Sequence, residues 1–544
     1  MKGHINGHGE NAITYKDIFL SLGEVISIDE LSVEQSPNHH GVLRLSAVLD
    51  NVPEEMAFYE MPETVTVNYR AEGEEKILFQ GIIADSSMER IGNHRKVKLK
   101  AYDATWLFDT KRKTRSFQNI SRTNHSVIAE VMEEYPGCIC MKNIPEEAIG
   151  QIWFQYEETD WEFLCRFVSH YADSLYADAT YGKARFQAGL SSQDVETDWE
   201  NSPYRMGKDL ERYDYLSQNG YPDLREHQFV EYFVDSYDMH TLGSRVIYKG
   251  AQWYISSLKR ELKEGLLVCT YELRQKAAMF AVKQYNGRIT GISVDGQTTE
   301  IKRDKVRVSI NGDMTHEQGT YWFPFSTVAA SSDGSGWYSM PEQGDSVRVY
   351  FPTWDEKEAY VITKHDSHMP ASPGSSSGGA SPAPSGGGSS GSGSTVSGGG
   401  GGYSSGGGGN SGGFSDGGGG GSAAAPALSA AAASEDALGE KEENPMDDPS
   451  KRNIFTKDGN VVQMTSAGVL LKAGQSRITM FMSGRIFLNA PSGITINAGE
   501  QLYVSAKNVV LEAGNVIEMK DDAGASVTIL KKLIHIKAEE IYEN

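Results

Sequence analysis

Cysteine is scarce: Cys138, Cys140, Cys165 and Cys269 are the only four in 544 residues. Four are too few for a disulfide scaffold of this size, which points to folding in a reducing, cytoplasmic compartment. No run of 18 apolar residues occurs, so nothing in the sequence reads as a transmembrane helix. Met1-Lys2-Gly3-His4-Ile5-Asn6-Gly7 has no apolar h-region, so no secretory signal is expected. Positive charge is in deficit, with 51 Lys and Arg against 73 Asp and Glu and a net charge of −22. That balance excludes phosphate polyanions and anionic membrane surfaces as favoured partners, because binding them requires clustered Lys and Arg.

Catalytic signatures are also missing. Glu157, Glu158 and Asp160 are clustered as a glycosidase pair would be, but they sit at an expected helix N-terminus, where acids favour the helix dipole. Gly387-Gly388-Ser389-Ser390-Gly391 fits a nucleophile elbow in letters only, since no strand or helix pattern surrounds it. Cys138-x-Cys140 lacks the second ligand pair of a zinc site. His4 with His8, and His365 with His368, read as exposed loop residues. No catalytic residue, cofactor or metal is assigned, and the chain is expected not to be an enzyme.

Glycine, by contrast, is in excess, and the excess is local. Residues 371–422 hold 24 of the 58 glycines together with 16 serines. Such a block cannot form a core and reads as a flexible linker. An Ala-rich stretch (Ala423–Ala433) and an acidic one (Glu435–Asp448) extend it. The linker is placed at 367–455.

On either side the sequence is patterned. In 1–280, Val65-Thr66-Val67-Asn68-Tyr69 and Val97-Lys98-Leu99-Lys100-Ala101 alternate as half-buried strands do. Asn124 is expected to cap a helix carrying Val127, Ile128, Val131, Met132 and Tyr135, stopped by Pro136-Gly137. Thr159-Asp160-Trp161-Glu162 is a capping box opening a second helix. In 281–366, Lys305–Ile310 and Ser346–Phe351 alternate as short strands, which suggests a small barrel of the OB type. Eight basic against 11 acidic residues over 285–365 argue against an oligonucleotide there.

Residues 456–544 carry a repeat of the form apolar-x-apolar-x-Ala. It occurs at Val469–Ala473, Ile486–Ala490, Ile494–Ala498, Leu502–Ala506, Val509–Ala513 and Ile534–Ala538. Alternation puts the apolar pair, such as Ile486 and Leu488, Ile494 and Ile496, or Leu502 and Val504, on one side of each strand. Six thin faces do not enclose a core alone. Three intertwined chains would close them around an axis, with a single-chain β-helix or a β-sandwich as the alternatives. If Ile534 and Ile536 face that axis, His535 faces outward and forms no axial metal site.

These pieces resemble one family. Gln155-Tyr156-Glu157-Glu158-Thr159-Asp160-Trp161-Glu162-Phe163-Leu164-Cys165-Arg166 is similar to the Q-Y-x-E-[ST]-D-x-x-F-L-x-R motif of the VgrG and phage late-control-D hub proteins. The matching positions are Tyr156, Glu158, Asp160, Phe163, Leu164 and Arg166. Gly319–Ser326, with Trp322 and Pro324, and Ser331–Tyr338, with Trp337, resemble that family's OB-fold signature. Met340–Val349, with Gly344 and Asp345, resembles its P-x-x-G-[DE]-x-V-x-V segment.

The resemblance implies a mainly β chain: a hub of β-barrel-like domains with a few helices (1–280), an OB-fold (281–366), the Gly/Ser linker, and a C-terminal triple-stranded β-helix needle formed by a homotrimer. It implies a spike at the tip of a contractile injection system, phage-tail-like or type VI-like. Inner tube and baseplate proteins, a PAAR-like tip protein and effector cargo are the implied partners. The needle would contact a target membrane mechanically. The protein would be cytoplasmic during assembly and then sit at a particle tip. A cell-wall-degrading spike enzyme and a receptor-binding tail trimer are the alternatives. The linker departs from the family pattern, since some relatives carry a lysozyme domain at that position, and no cargo domain is expected after the last repeat.

Overall fold

The computed structural model describes residues 12–50, 63–315, 317–326, 336–363, 448, 450–530 and 533–541. His4, His8, His365, His368, the 387–391 serine motif, residues 331–335 of the second OB-signature stretch and the Gly/Ser block lie outside them. The chain divides into two compact units, Met1–Ala467 and Gly468–Asn544. Both are mainly β.

The first unit is organised by a 12-stranded sheet. Its first half runs, in spatial order, through Ile18–Leu20, Thr64–Ala71, Glu74–Ile91, His94–Asp103, Val42–Asp50 and Glu24–Gln35. Alternation decides which side each residue takes. Val65, Val67 and Tyr69 are buried between more exposed neighbours, as are Val97, Leu99 and Ala101. The sheet then continues into strands far along the chain. Glu24–Gln35 pairs antiparallel with Ala251–Lys263, matching Leu258 to Gln35 and Arg260 to Val33. Leu266–Arg274, Val230–Ser236 and Tyr204–Lys208 follow. Helix α3 (Leu210–Gln218) leads back from that last strand and is capped by Asp209.

Residues 104–188 are inserted between the two halves. A 3-10 turn (Ala104–Asp109) leads to a two-stranded ribbon of Arg112–Phe117 and Trp153–Thr159. Helices α1 (Asn124–Met132) and α2 (Asp160–Ser169) pack with a three-stranded sheet of Leu175–Ala177, Arg185–Ala188 and Ile139–Lys142. The α1 cap differs from the sequence expectation. Thr123, not Asn124, accepts the Ser126 amide at 3.2 Å. Asn124 is the first helical residue, and its buried amide donates to the Pro145 carbonyl. Both side chains can cap, and only the tertiary partner at Pro145 distinguishes them. Helix α1 also stops before Tyr135, whose ring stacks on Phe108 at 3.8 Å. The α2 box forms as read: Glu162 N donates to Thr159 Oγ1 at 3.1 Å and Thr159 N to Glu162 Oε2 at 3.0 Å.

Residues 293–363 build a five-stranded antiparallel sheet in the order Trp322–Pro324, Lys305–Ile310, Ser293–Lys302, Ser346–Tyr350, Tyr360–Thr363. A parallel bridge between Phe325 and Val361 joins its first and last strands. Val306, Val308, Val347 and Val349 fill the interior. Past the Gly/Ser block, Arg452–Phe455 forms a strand against Gly336–Tyr338, with Trp337 opposite Ile454. These four residues fall inside the range the sequence assigns to the linker. A four-residue strand with a single Ile-Phe pair carries too little periodicity to be read.

The second unit contains two meanders. One joins Gly468–Ala473, Ser476–Phe481 and Ile486–Asn489, the other Val516–Lys520, Ser526–Leu530 and Leu533–Lys537. Three repeat copies, at 469, 486 and 534, are therefore strands. The copies at 494, 502 and 509 form no strand within this single chain. A strand needs a neighbour for its backbone donors and acceptors, and among the described residues those segments have none.

Candidate functional site

The family-like motif at 155–166 spans the end of the ribbon and the whole first turn of α2. A bulge sets its geometry. Lys113 pairs with Glu158 and Thr114 with Tyr156, leaving Glu157 as the extra residue, exposed and at φ +50°. The bulge puts Gln155 and Glu158 both inside, where regular alternation would separate them. Two buried charge clusters result.

The first surrounds Asp160, which is fully buried. Its Oδ2 accepts from Lys113 Nζ and Tyr135 Oη, each at 2.6 Å. Its Oδ1 accepts from Gln155 Nε2 at 2.9 Å and from Arg115 Nη2. Lys113 and Arg115 also hold Glu134, at 2.6 and 3.0 Å. Burial, reinforced by the bond to Asp160, pushes the Tyr135 phenol far above its ordinary pKa, so it stays a donor.

The second surrounds Arg166, which is 2% exposed. Nε and Nη2 grip Glu158 at 2.8 and 2.7 Å in a two-pronged pair, and Nη1 donates to Glu356 at 2.7 Å. Trp153 and Phe163 each lie 5.4 Å from the guanidinium. Burial opposes the charge on Arg166, but Glu356 and Glu158 together hold its pKa above the usual value. Burial, aided by Glu356, pushes Glu158 up against the pull of Arg166. Glu356 Oε2 is the one carboxylate oxygen of the two clusters with no hydrogen-bond partner among the described residues.

Glu356 belongs to the five-stranded module, in a 3-10 turn (Glu356–Glu358) before its last strand. The second cluster therefore ties the insert to that module, and other contacts follow the same seam. Phe154 stacks on Phe351 at 5.0 Å, nearly parallel. Ser116 N donates to Asp313 Oδ1 at 3.0 Å, and Asn286 Nδ2 to the Tyr156 carbonyl at 2.9 Å. Gln284 N bonds Ser169 Oγ and its carbonyl accepts from His170 Nε2, both at 2.9 Å.

An open cavity of about 750 Å³ lies beside the motif, lined by Asp109, Trp161, Glu162, Cys165, Arg166 and Arg288 among others. Its carboxylates are engaged. Glu162 pairs with Arg288 at 3.0 Å, and Asp109 accepts from His40 at 2.8 Å and from Thr159. Burial raises the Cys165 thiol well above its ordinary range, so it is no nucleophile at neutral pH. The arrangement is suited to holding two modules in fixed register. Among the described residues, no group of three or more His, Cys, Asp or Glu side chains could hold a metal ion.

Apart from Phe163, which flanks the Arg166 guanidinium, the remaining residues singled out in the sequence do not converge on this seam. Trp322 lies under the Arg307 guanidinium at 4.5 Å, Pro324 pairs with Lys305, and Trp337 is 54% exposed. Gly344 turns at φ +92° and Asp345 Oδ2 accepts the Glu342 amide at 2.6 Å, which closes the turn into the Ser346 strand. Phe163 and Leu164 are core residues of the insert. Ile486, Leu488, Ile494, Ile496, Leu502 and Val504 belong to the second unit. Sequence reasoning missed Lys113, Arg115, Glu134, Tyr135 and Glu356. Lys113 and Arg115 at i, i+2 on a strand ending in Phe117 were a readable sign of charges turned inward, while Glu356 left none.

Comparison with known proteins places this seam in context. Residues 60–186, which include the whole motif, match the family described as phage tail baseplate hub (GPD). That family is structural. No curated protein matches the chain. Among solved structures, the chain is similar to the E. coli c3393 protein, a type VI secretion component described as similar to T4 tail proteins gp27 and gp5, at 11% identity and TM-score 0.45, covering 63% of this chain and 98% of that one. It is similar to the Francisella PdpA-VgrG complex in its half-lidded form at 10% identity and TM-score 0.38, covering 88% of each. A 43 kDa prophage MuSo2 tail protein from Shewanella oneidensis aligns at 12% identity and TM-score 0.36, over 48% of this chain and 99% of that one.

Proposed function

Because residues 60–186 are of the phage tail baseplate hub (GPD) family, we propose that the chain is the trimeric hub and spike of a contractile injection system. In this reading residues 1–280 form the hub that adapts an inner tube to threefold symmetry, and 281–366 form an OB-fold beneath it. Residues 456–544 from three copies wind into a β-helix needle that pierces the target envelope when a sheath contracts. The particle assembles in the cytoplasm. Tube and baseplate proteins, a PAAR-like tip protein and effectors are its partners. Its action is mechanical, without a catalytic step.

The observation that carries the trimer is the exposure of the repeat. Within one chain Ile486, Leu488, Ile494, Ile496, Leu502 and Val504 are each half or more exposed, although the sequence alternates as a buried strand does. Burial of each apolar side chain is worth about 1.5–3 kcal/mol, so a lone chain leaves a large driving force for self-association. Three copies would also supply strand neighbours for the copies at 494, 502 and 509. The seam through Arg166 supports the mechanical part, since it fixes hub and OB module to each other through buried charge pairs.

The test is the mass of the assembled protein in solution. A species of three times 59.6 kDa is expected. A stable, soluble monomer at micromolar concentration would overturn the reading.

A further inference from the structure

The hub carries a small aromatic enclosure that the spike reading does not use. Among the described residues, the strand Tyr204–Lys208 is paired on one side only, to Val230–Ser236. Tyr204 on that edge meets Tyr232 at 5.7 Å between ring centroids and Tyr248 at 6.5 Å. Tyr232 and Tyr248 meet at 5.4 Å, and the three interplanar angles lie between 63° and 79°. Trp253 braces Tyr232 from behind at 5.0 Å and 90°. Three steeply inclined rings of this kind form the walls of a cage.

The chain's own cation, the exposed Lys249, lies against these rings. Lys249 Nζ lies 3.4 Å from the Tyr204 centroid and 5.5 Å from those of Tyr232 and Tyr248. Lys249 and Gly250 are the central residues of the tight turn joining Arg245–Tyr248 to Ala251–Lys263, at φ +51° and +75°. In a chain of net charge −22, this ammonium has no carboxylate within 4 Å among the described residues. Ring faces hold it. The buried Tyr248 hydroxyl has no hydrogen-bond partner among the described residues. Tyr204 is 52% exposed, so the enclosure opens to solvent.

We propose that Tyr204, Tyr232 and Tyr248 form an organic-cation site for a quaternary ammonium of the choline type, with the exposed Lys249 as a tethered competitor at its mouth. Ring faces attract any cation, but a lysine ammonium is small and strongly hydrated and gives up hydrogen bonds to water on entering. A trimethylammonium group has no such bonds to lose and fills more of the cage. The lysine competes because it is tethered beside the rings, which makes its contact with them intramolecular. The intact chain therefore binds weakly, and a partner that draws Lys249 away opens the site. A choline headgroup in a bilayer and a soluble choline ester present the same chemistry.

The test titrates phosphocholine into the full chain and follows tyrosine fluorescence or saturation transfer. Glycine suits the left-handed turn, so Lys249→Gly removes the competitor while preserving the hairpin, which an unchanged melting temperature confirms. Lys249→Gly is expected to bind phosphocholine at least about tenfold more tightly than the parent. Adding Tyr204→Ala, on an exposed edge strand, should abolish that gain. Flotation of Lys249→Gly with phosphatidylcholine but not phosphatidylglycerol vesicles supports a lipid source, and binding of free phosphocholine alone supports a soluble one. No gain in Lys249→Gly, or a gain that survives Tyr204→Ala, would overturn the proposal.

Discussion

Arg166 on α2 donates to Glu356 at 2.7 Å across 190 positions of sequence, and the same guanidinium grips Glu158 with its other nitrogens. One arginine at the end of the family-like motif thus joins the inserted module to the five-stranded module. Removing a single partner of a buried ion pair costs more than the pair contributes, because the charge left behind has no water.

Arg166→Met should therefore destabilise the chain by about 3–5 kcal/mol, since it strands two buried carboxylates. Glu356→Gln should cost much less, because Glu158 still neutralises the arginine. Denaturant melts compare the two. Equal effects would show that the seam through Glu356 matters as much as the grip on Glu158.

His170 gives the seam a pH dependence. Burial lowers its pKa from about 6.5 to about 4, with the cations Arg166, Lys283 and Lys357 nearby acting in the same direction. Below pH 6.5 the unfolded chain takes up a proton that the native histidine refuses. The native state thus has its full stability from this group above pH 6.5 and loses it as pH falls towards 4. Melting temperatures at pH 7.5, 6 and 5 should decline for the parent, and His170→Gln should flatten part of that slope.

Charge placed on the repeat should separate assembly from folding. Ile494→Asp with Ile496→Asp touches residues that are already exposed in one chain. The first unit should melt as before, while the mass of the proposed trimer is lost. A trimer that tolerates both aspartates would count against the proposed needle contacts at these positions.

Shortening the Gly/Ser stretch should be nearly neutral. Tyr360–Thr363 before it and Arg452–Phe455 after it belong to one unit. Deleting 371–422 shortens the stretch of sequence between them from 88 to 36 residues. By loop-closure entropy that changes stability by only about 0.8 kcal/mol, in the stabilising direction. Denaturant melts of the deletion should agree within about 1 kcal/mol.

Local signals in the sequence proved readable where chemistry is local. The Thr159–Glu162 box and the alternation around Val65, Val97, Val306 and Val347 are each decided within six residues, and each is present. The α1 cap was misread because Thr123 and Asn124 are equally able, and a carbonyl 21 residues away settles it. The inward turn of Glu158 depends on one bulged residue, which ordinary strand periodicity does not foresee. Glu356 was invisible because its partner is 190 positions distant. Of the motif residues, Glu158, Asp160 and Arg166 lie in the two buried charge clusters, which the motif alone did not reveal.

The central pairing of the large sheet bears on synthesis. Glu24–Gln35 cannot meet Ala251–Lys263 until about 220 further residues have left the ribosome. At roughly 5–20 residues per second, that strand edge stays unpaired for about 11–45 s. The hub cannot close co-translationally in stages, and its early half waits as an open template for wrong partners. High production rates should therefore lower its yield before any question of spike assembly arises, and slower translation or a chaperone that shields strand edges should restore it.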